Sequence, residues 1–309
     1  MAYNLFLVIV STLLLWVGAD RVVESASAIA RRFNLSELVI GLTVVALGTS
    51  LPEFLVTSTA AFKGLGDISL SNIVGSNIFN LGLILGVMAV IRPVPTSRPL
   101  VYRDTLLLFA VTILVLVMAL DLRMGRLAGI VLLSILVCYN LLIVLRFGKI
   151  APLAEVPVQR TGRWYDWPFL LLGFAAVAAG GHWMVEGASS LARMAGVSEW
   201  AIGVTIVAAG TSLPELITCL SAALKGRNQM LLGNLVGSDL FNFAGVLGLT
   251  CILRPLQISP SALPSLYALV GMVFLVFVFL RTGWRIGRAE GMVLVGLNLL
   301  RWGVDFAAS

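Results

Sequence analysis

Two glutamates, Glu53 and Glu215, each follow a proline inside an apolar run of helix-forming length. A carboxylate near the centre of a bilayer costs at least about 2.5–3.5 kcal/mol on insertion scales, so its default reading is functional. Gly48-Thr49-Ser50-Leu51-Pro52 precedes Glu53, and Gly210-Thr211-Ser212-Leu213-Pro214 precedes Glu215. Each proline removes a backbone donor and crowds the carbonyl four residues back, here Gly48 or Gly210, so the helix can break there. Carbonyl oxygens freed in this way are tolerated at membrane depth only where something such as a bound ion satisfies them. Ser50 and Ser212 stand three residues before their glutamates, on a similar helix face. Carboxylate, carbonyl and hydroxyl oxygens form a hard ligand set that suits Na⁺ and Ca²⁺ rather than copper or zinc.

A second polar cluster lies in the apolar run after each glutamate: Gly75-Ser76-Asn77 and Gly237-Ser238-Asp239. Asp239 adds a third carboxylate and breaks the symmetry of the set. It either carries a proton beside the other two or binds a further cation. Taken singly, Pro52 or Pro214 reads as a kink, and Ser50 or Ser76 as a hydroxyl bonded within its own helix. Glutamate at both positions makes packing alone a poor explanation. Gly41, Gly75, Gly82, Gly203 and Gly237 read as close-packing residues. Glu24 and Glu186, near span ends, read as snorkelling or capping groups, and His182 as an interfacial one.

These clusters belong to an internal repeat. Gly41–Glu53 recurs as Gly203–Glu215, an offset of 215 − 53 = 162. Without a gap, the same offset carries Lys63-Gly64 onto Lys225-Gly226, Phe79-Asn80 onto Phe241-Asn242 and Arg92-Pro93 onto Arg254-Pro255. It also carries Glu24 onto Glu186 and Asp20 onto His182. The elements that must hold the clusters are hydrophobic: 59% of the 309 residues are apolar, 12% are charged, and the mean hydropathy is +1.02. Soluble domains carry about 45–50% apolar and about 25% charged residues. The expected fold is therefore an all-α integral membrane protein with five spans in each half. The spans fall near 3–30, 36–61, 69–91, 104–121 and 127–146, then 167–195, 198–223, 231–253, 263–281 and 288–307. Residues 1–147 form the first repeat, 148–166 a linker and 167–309 the second repeat.

An odd number of spans per half inverts the second copy in the membrane. With the N-terminus outside, the inside loops hold most of the basic residues, including Arg31, Arg32, Arg92, Arg98 and Lys225. The outside loops and ends keep Lys63, Arg123, Arg126, Arg193, Arg254 and Arg301, so both termini are expected outside. The net charge of +6 does not gather into a stripe with interleaved aromatics, which argues against nucleic acid as a partner. Cys138, Cys219 and Cys251 lack metal-ligand spacing and read as packing residues. Met1–Val17 has no preceding basic residue and reads as a retained first span rather than a signal peptide.

The doubled Gly-Thr-Ser-Leu-Pro-Glu, with Gly-Ser-Asn or Gly-Ser-Asp downstream, resembles the two α-repeats of the cation/Ca²⁺ exchanger superfamily, and within it the prokaryotic sodium/calcium exchangers. The resemblance covers nearly the whole chain. It implies central Ca²⁺ ligation by Glu53 and Glu215 with the backbone carbonyls of Thr49 and Thr211. It implies Na⁺ sites at the same glutamates with Ala46, Ser50, Ser76, Ala208, Ser212 and Ser238, while Asn77 and Asp239 take the remaining midplane positions. It also implies alternating access, with the first and sixth spans sliding across the other eight, and about three Na⁺ per Ca²⁺. An acid at the position of Asp239 is associated with K⁺ dependence in animal relatives. The linker is too short for their Ca²⁺-sensing cytosolic domains.

The expected activity is antiport of Na⁺ against Ca²⁺, with the ions as cargo and no cofactor or obligate protein partner. The expected location is the inner (plasma) membrane of a prokaryote. The nearest rival is a H⁺- or K⁺-coupled exchanger of the same fold. The H⁺/Ca²⁺ branch carries Gly-Asn-x-x-Glu where this chain has Ser-Leu-Pro-Glu, which argues against it. An intramembrane hydrolase would need a His-Glu-x-x-His, a Gly-x-Gly-Asp or a Ser–His pairing, and the chain has one histidine. A passive channel is opposed by inverted halves with a dense midplane site.

Overall fold

A computed structural model describes residues 2–147, 162–196 and 208–307. Gly203, most of the expected 148–166 linker and the start of the expected 198–223 span lie outside the described residues. The first half contains α1 (Ala2–Arg32), α2 (Glu37–Thr49), α3 (Leu51–Phe62), α4 (Gly66–Ile91), α5 (Leu100–Ala119) and α6 (Arg126–Arg146). The second contains α7 (Asp166–Met194), α8 (Ala208–Gly210), α9 (Leu213–Leu224), α10 (Asn228–Leu253), α11 (Leu263–Gly283) and α12 (Arg288–Ala307). Among the described residues, seven helices are long and apolar enough to cross a membrane, or eight if α2 and α3, bent by 48°, form one broken span. At 1.5 Å per residue α1 is about 46 Å long, more than the ~30 Å hydrocarbon core. Large apolar side chains such as Leu127 and Leu145 are exposed, as a lipid-facing surface requires.

The offset of 162 seen in the sequence also governs the backbone. Left-handed conformations occur at Leu122 (φ 56°) and Trp284 (φ 51°), and at Gly64 (φ 78°) and Gly226 (φ 68°). Each is one turn used twice. Four two-residue strands obey the same rule: β1 (Val94–Pro95), β2 (Arg123–Met124), β3 (Leu256–Gln257) and β4 (Arg285–Ile286). β1 pairs antiparallel with β4 and β2 with β3, so every ribbon joins one half to the other.

Glycine sets the close crossings. A Cβ on Gly129 of α6 would stand 2.4 Å from the carbonyl oxygen of Gly248 on α10. Their counterparts repeat the contact, because a Cβ on Gly291 of α12 would stand 2.6 Å from the carbonyl oxygen of Gly86 on α4. Gly41 and Gly233 bring α2 against α10, and Gly82 and Gly237 are also tightly covered, as expected. Gly75 differs, since no described atom lies within 4 Å of a Cβ built there.

The two most central helices are α4 and α10, and every residue from Met230 to Leu240 is buried. A helix enclosed on all sides can carry polar groups only if they meet partners inside the protein. On α4 and α10 the buried polar groups include Ser76, Asn77, Asn80, Asn234, Ser238, Asp239 and Asn242.

Candidate cation-binding site

The breaks before the glutamates match. Ser50 (φ −84°, ψ 9°) separates α2 from α3, and Ser212 (φ −91°, ψ 6°) precedes α9. Both occupy the sparsely populated bridge region, where a helix interrupts its ladder. Pro52 and Pro214 open the following helices and offer no N–H to the carbonyls of Gly48 and Gly210. The chain resumes in the same way twice: Phe54 N–H donates to the Ser50 carbonyl at 3.1 Å and Leu216 N–H to that of Ser212 at 3.0 Å.

Glu53 and Glu215 are fully buried. Ser50 donates to Oε1 of Glu215 at 3.0 Å, and Ser212 to Oε1 of Glu53 at 3.2 Å. Each serine thus serves the glutamate of the other half. Ser76 reaches the same Oε1 of Glu53 at 3.4 Å. Five expected residues therefore meet in one cluster that spans both halves.

The remaining expected residues surround it. Thr49 and Ser238 bring their hydroxyls within 3.4 Å, and Thr49 also reaches Oδ1 of Asn234 at 3.2 Å. Ala46 is buried and its carbonyl accepts from the Ser50 N–H at 3.1 Å. Thr211 sits beside Gly210 at the second break. Ala208 opens α8, and its side chain lies outside the described residues. Asn77 and Asp239 form a separate network rather than hydrogen-bonding to the glutamates. Asn77 donates to the Asp239 carbonyl at 3.3 Å, Asn80 to Asp239 Oδ1 at 2.9 Å, and Asn242 to Asn77 Oδ1 at 3.0 Å.

Asn80 and Asn242 are repeat equivalents that the sequence reading aligned but gave no role. Both lie in π-helical stretches, Phe79–Ile84 of α4 and Phe241–Leu247 of α10, a geometry common at functional sites. Asn72 and Asn234 form another overlooked pair. Asn72 donates to Thr57 Oγ1 at 3.0 Å and Asn234 to Cys219 Sγ at 3.4 Å, one bond made at both repeat positions. Their signal was available: amides inside apolar runs, 162 residues apart.

The orphaned atoms characterise the site. Buried Oε2 of Glu53, Oε2 of Glu215, Oδ2 of Asp239 and Oδ1 of Asn80 and Asn242 have no hydrogen-bond partner. All are acceptors, and leaving such groups unmet in a closed interior is costly. Thr211 Oγ1 is also buried without a partner, so the unmet groups at the site are carboxylate and amide acceptors with one hydroxyl, a balance that suits a cation. Among the described residues no three His, Cys, Asp or Glu side chains converge on one point. The oxygen set is instead two carboxylates completed by hydroxyls, amides and freed carbonyls, which suits Na⁺ or Ca²⁺.

Comparison with known proteins follows the same outline. The family profile described as sodium/calcium exchanger protein matches residues 3–145 and 165–300. The inner membrane protein YrbG of Escherichia coli is 35% identical over 316 residues, covering 96% of each chain. The sodium/calcium exchanger MaX1 of Methanosarcina acetivorans is 30% identical over 340 residues, covering 94% of this chain and 95% of that one. A solved structure of the sodium-calcium exchanger NCX_Mj superposes with a TM-score of 0.84 at 32% identity, covering 96% of this chain and 97% of that one.

Proposed function

Because this chain belongs to the sodium/calcium exchanger family, we propose that it is a secondary antiporter that exchanges Na⁺ for Ca²⁺ across a membrane. The observation that carries this reading is the crossed pair Ser50–Glu215 and Ser212–Glu53, with one oxygen of each carboxylate left without a donor. Glu53 and Glu215 bind either ion, Ca²⁺ together with the carbonyls of Thr49 and Thr211. Na⁺ uses the same carboxylates with Ala46, Ser50, Ser76, Ala208, Ser212 and Ser238, and Asn77 and Asp239 complete the midplane. Since both ions need the glutamates, loading one expels the other.

The same reading gives ten spans in two inverted halves, residues 1–147 and 167–309 joined by 148–166, with both termini outside. The paired backbone features at the offset of 162 support the repeat. The protein is a carrier rather than an enzyme. Its place is the inner membrane of a prokaryotic cell, which the name and similarity of YrbG support.

The test is uptake of radiolabelled Ca²⁺ into proteoliposomes preloaded with Na⁺, K⁺ or choline. Uptake that requires internal Na⁺ and disappears in Glu53→Gln is the expected result. Uptake indifferent to internal Na⁺ would refute sodium coupling, and a requirement for K⁺ or a pH gradient would replace it.

A further inference from the structure

One set of repeat-related charges is paired on one side of the molecule and unpaired on the other. Lys225, directly after α9, contacts Asp20 Oδ1 at 2.5 Å and Glu24 Oε1 at 3.0 Å, both on α1. Glu24 also lies 4.0 Å from Arg21. Subtracting 162 from Lys225 gives Lys63, directly after α3, and adding 162 to Asp20 and Glu24 gives His182 and Glu186 on α7. Lys63, His182 and Glu186 are exposed, and no ion pair joins them among the described residues.

Packing shows the same asymmetry. α1 lies along α9, and Ile217 packs against the cluster of Leu15 and Ala19 with Val177 of α7. α7 makes no comparable contact with α3, and Leu55, the counterpart of Ile217, is 64% exposed. Meanwhile α1 and α7 pack tightly on each other. A Cβ on Gly18 would meet Val177 at 2.8 Å, and one on Gly180 would meet Leu15 at 3.0 Å. Helices joined so closely move as one body, so a shift that brings α7 onto α3 withdraws α1 from α9.

We propose that Lys225 and Lys63 are alternating latches on this helix pair. In the state described here, Lys225 holds α1 through Asp20 and Glu24 and keeps that side closed. In the oppositely facing state Lys225 is released, and Lys63 holds α7 through Glu186. The second latch has one carboxylate where the first has two, because His182 replaces the equivalent of Asp20. The state closed by Lys225 is therefore the more populated one. The inference rests on the antiport reading only for the existence of two states.

The test uses the full chain, reconstituted, with exposed Cys138 replaced by serine. Leu15→Cys and Ile217→Cys together report the closed state by their rate of oxidative cross-linking. Each partly exposed ion pair shifts such an equilibrium by about two- to fivefold. Lys225→Met should slow cross-linking about five- to tenfold, whereas Lys63→Met should not slow it. His182→Asp, which supplies the missing carboxylate, should slow it about two- to threefold, and only while Lys63 is present. A Lys225→Met rate within twofold of the parent, or equal slowing by Lys63→Met, would overturn the proposal. So would a His182→Asp effect that persists without Lys63. Failure of Na⁺-dependent Ca²⁺ uptake by the wild-type chain would instead overturn the antiport reading, and the cross-linking rates would still stand.

Discussion

Replacing Glu53 by glutamine removes one unit of charge from the site while keeping its shape. Both carboxylates are fully buried, so water screens them little. At an effective dielectric of about 20, unit charges about 4 Å apart attract by ~4 kcal/mol, hence ~8 kcal/mol for a divalent ion. Glutamine keeps one oxygen ligand, and the variant no longer pays to bury that charge, which together offset about half. The net loss is ~4 kcal/mol for Ca²⁺ and ~2 kcal/mol for Na⁺, about 10³-fold and about 30-fold in affinity. The assay is calorimetric titration of purified wild type and Glu53→Gln with CaCl₂ and, separately, with NaCl at constant ionic strength. Loss twice as large on a logarithmic scale for Ca²⁺ as for Na⁺ is the signature of a charge acting directly on the ion. Equal loss for both ions would mean that the substitution had only damaged the fold. Ca²⁺ affinity within tenfold of wild type would remove Glu53 from the site.

Three other perturbations probe separate parts of the argument. Ser50→Ala and Glu215→Gln should couple by about 1.5–3 kcal/mol in a double-mutant cycle on Na⁺ affinity, and Ser50→Ala with Glu53→Gln by less, because the hydroxyl donates across the repeat. Asp104, fully buried, accepts from Arg103 at 2.6 Å and from Tyr139 at 2.8 Å, outside the cation cluster. Asp104→Asn should therefore lower thermal stability in detergent, while Ca²⁺ affinity stays unchanged. Its cost should be about 2 kcal/mol, below the about 3–5 kcal/mol of a fully buried pair because Arg103 is 17% exposed. Gly129→Ala drives a methyl group into the Gly248 carbonyl and should cost about 1–3 kcal/mol by thermal unfolding, whereas Gly271→Ala, with no described atom within 4 Å, should be near neutral.

The glutamates, their serines and the all-helical membrane character were legible because the repeat states each of them twice. A buried carboxylate after proline is a strong signal once, and its recurrence 162 residues later excludes coincidence. What the spacing misstated was the direction of the serines. Ser50 lies three residues before Glu53, which in an unbroken helix puts both on one face. The helix is broken at Ser50 itself, where ψ is 9°, and the hydroxyl turns to Glu215 instead. Periodicity describes one helix at a time, so it could not reveal a bond made between halves. The same limit hid Asn80 and Asn242, whose partners lie on the opposite central helix. Asp104 escaped for another reason. Its counterpart in the second half is Leu266, so the repeat offered no second statement of it. The ribbons β1–β4 and β2–β3 have strands of two residues, too short for any alternation to register.

Obligatory exchange follows from the same arrangement that makes the site attractive to cations. An empty, ionised site would hold two carboxylates out of water, each with an oxygen that no donor meets. Passing through a closed state in that condition exposes both charges to a low-dielectric interior, at a cost of several kcal/mol per ion. Bound Ca²⁺ or Na⁺ offsets the carboxylate charge and fills the vacant acceptors, so a loaded site crosses at much lower cost. The carrier therefore moves readily with cargo and poorly without it, which links inward movement of one ion to outward movement of the other. Asp239 makes no hydrogen bond to either glutamate; Asn80 donates to one of its oxygens and the other is likewise unmet. In the proposed site, the asparagine network around Asp239 shapes the space beside the ions, and exchange is expected to depend on Glu53 and Glu215 together.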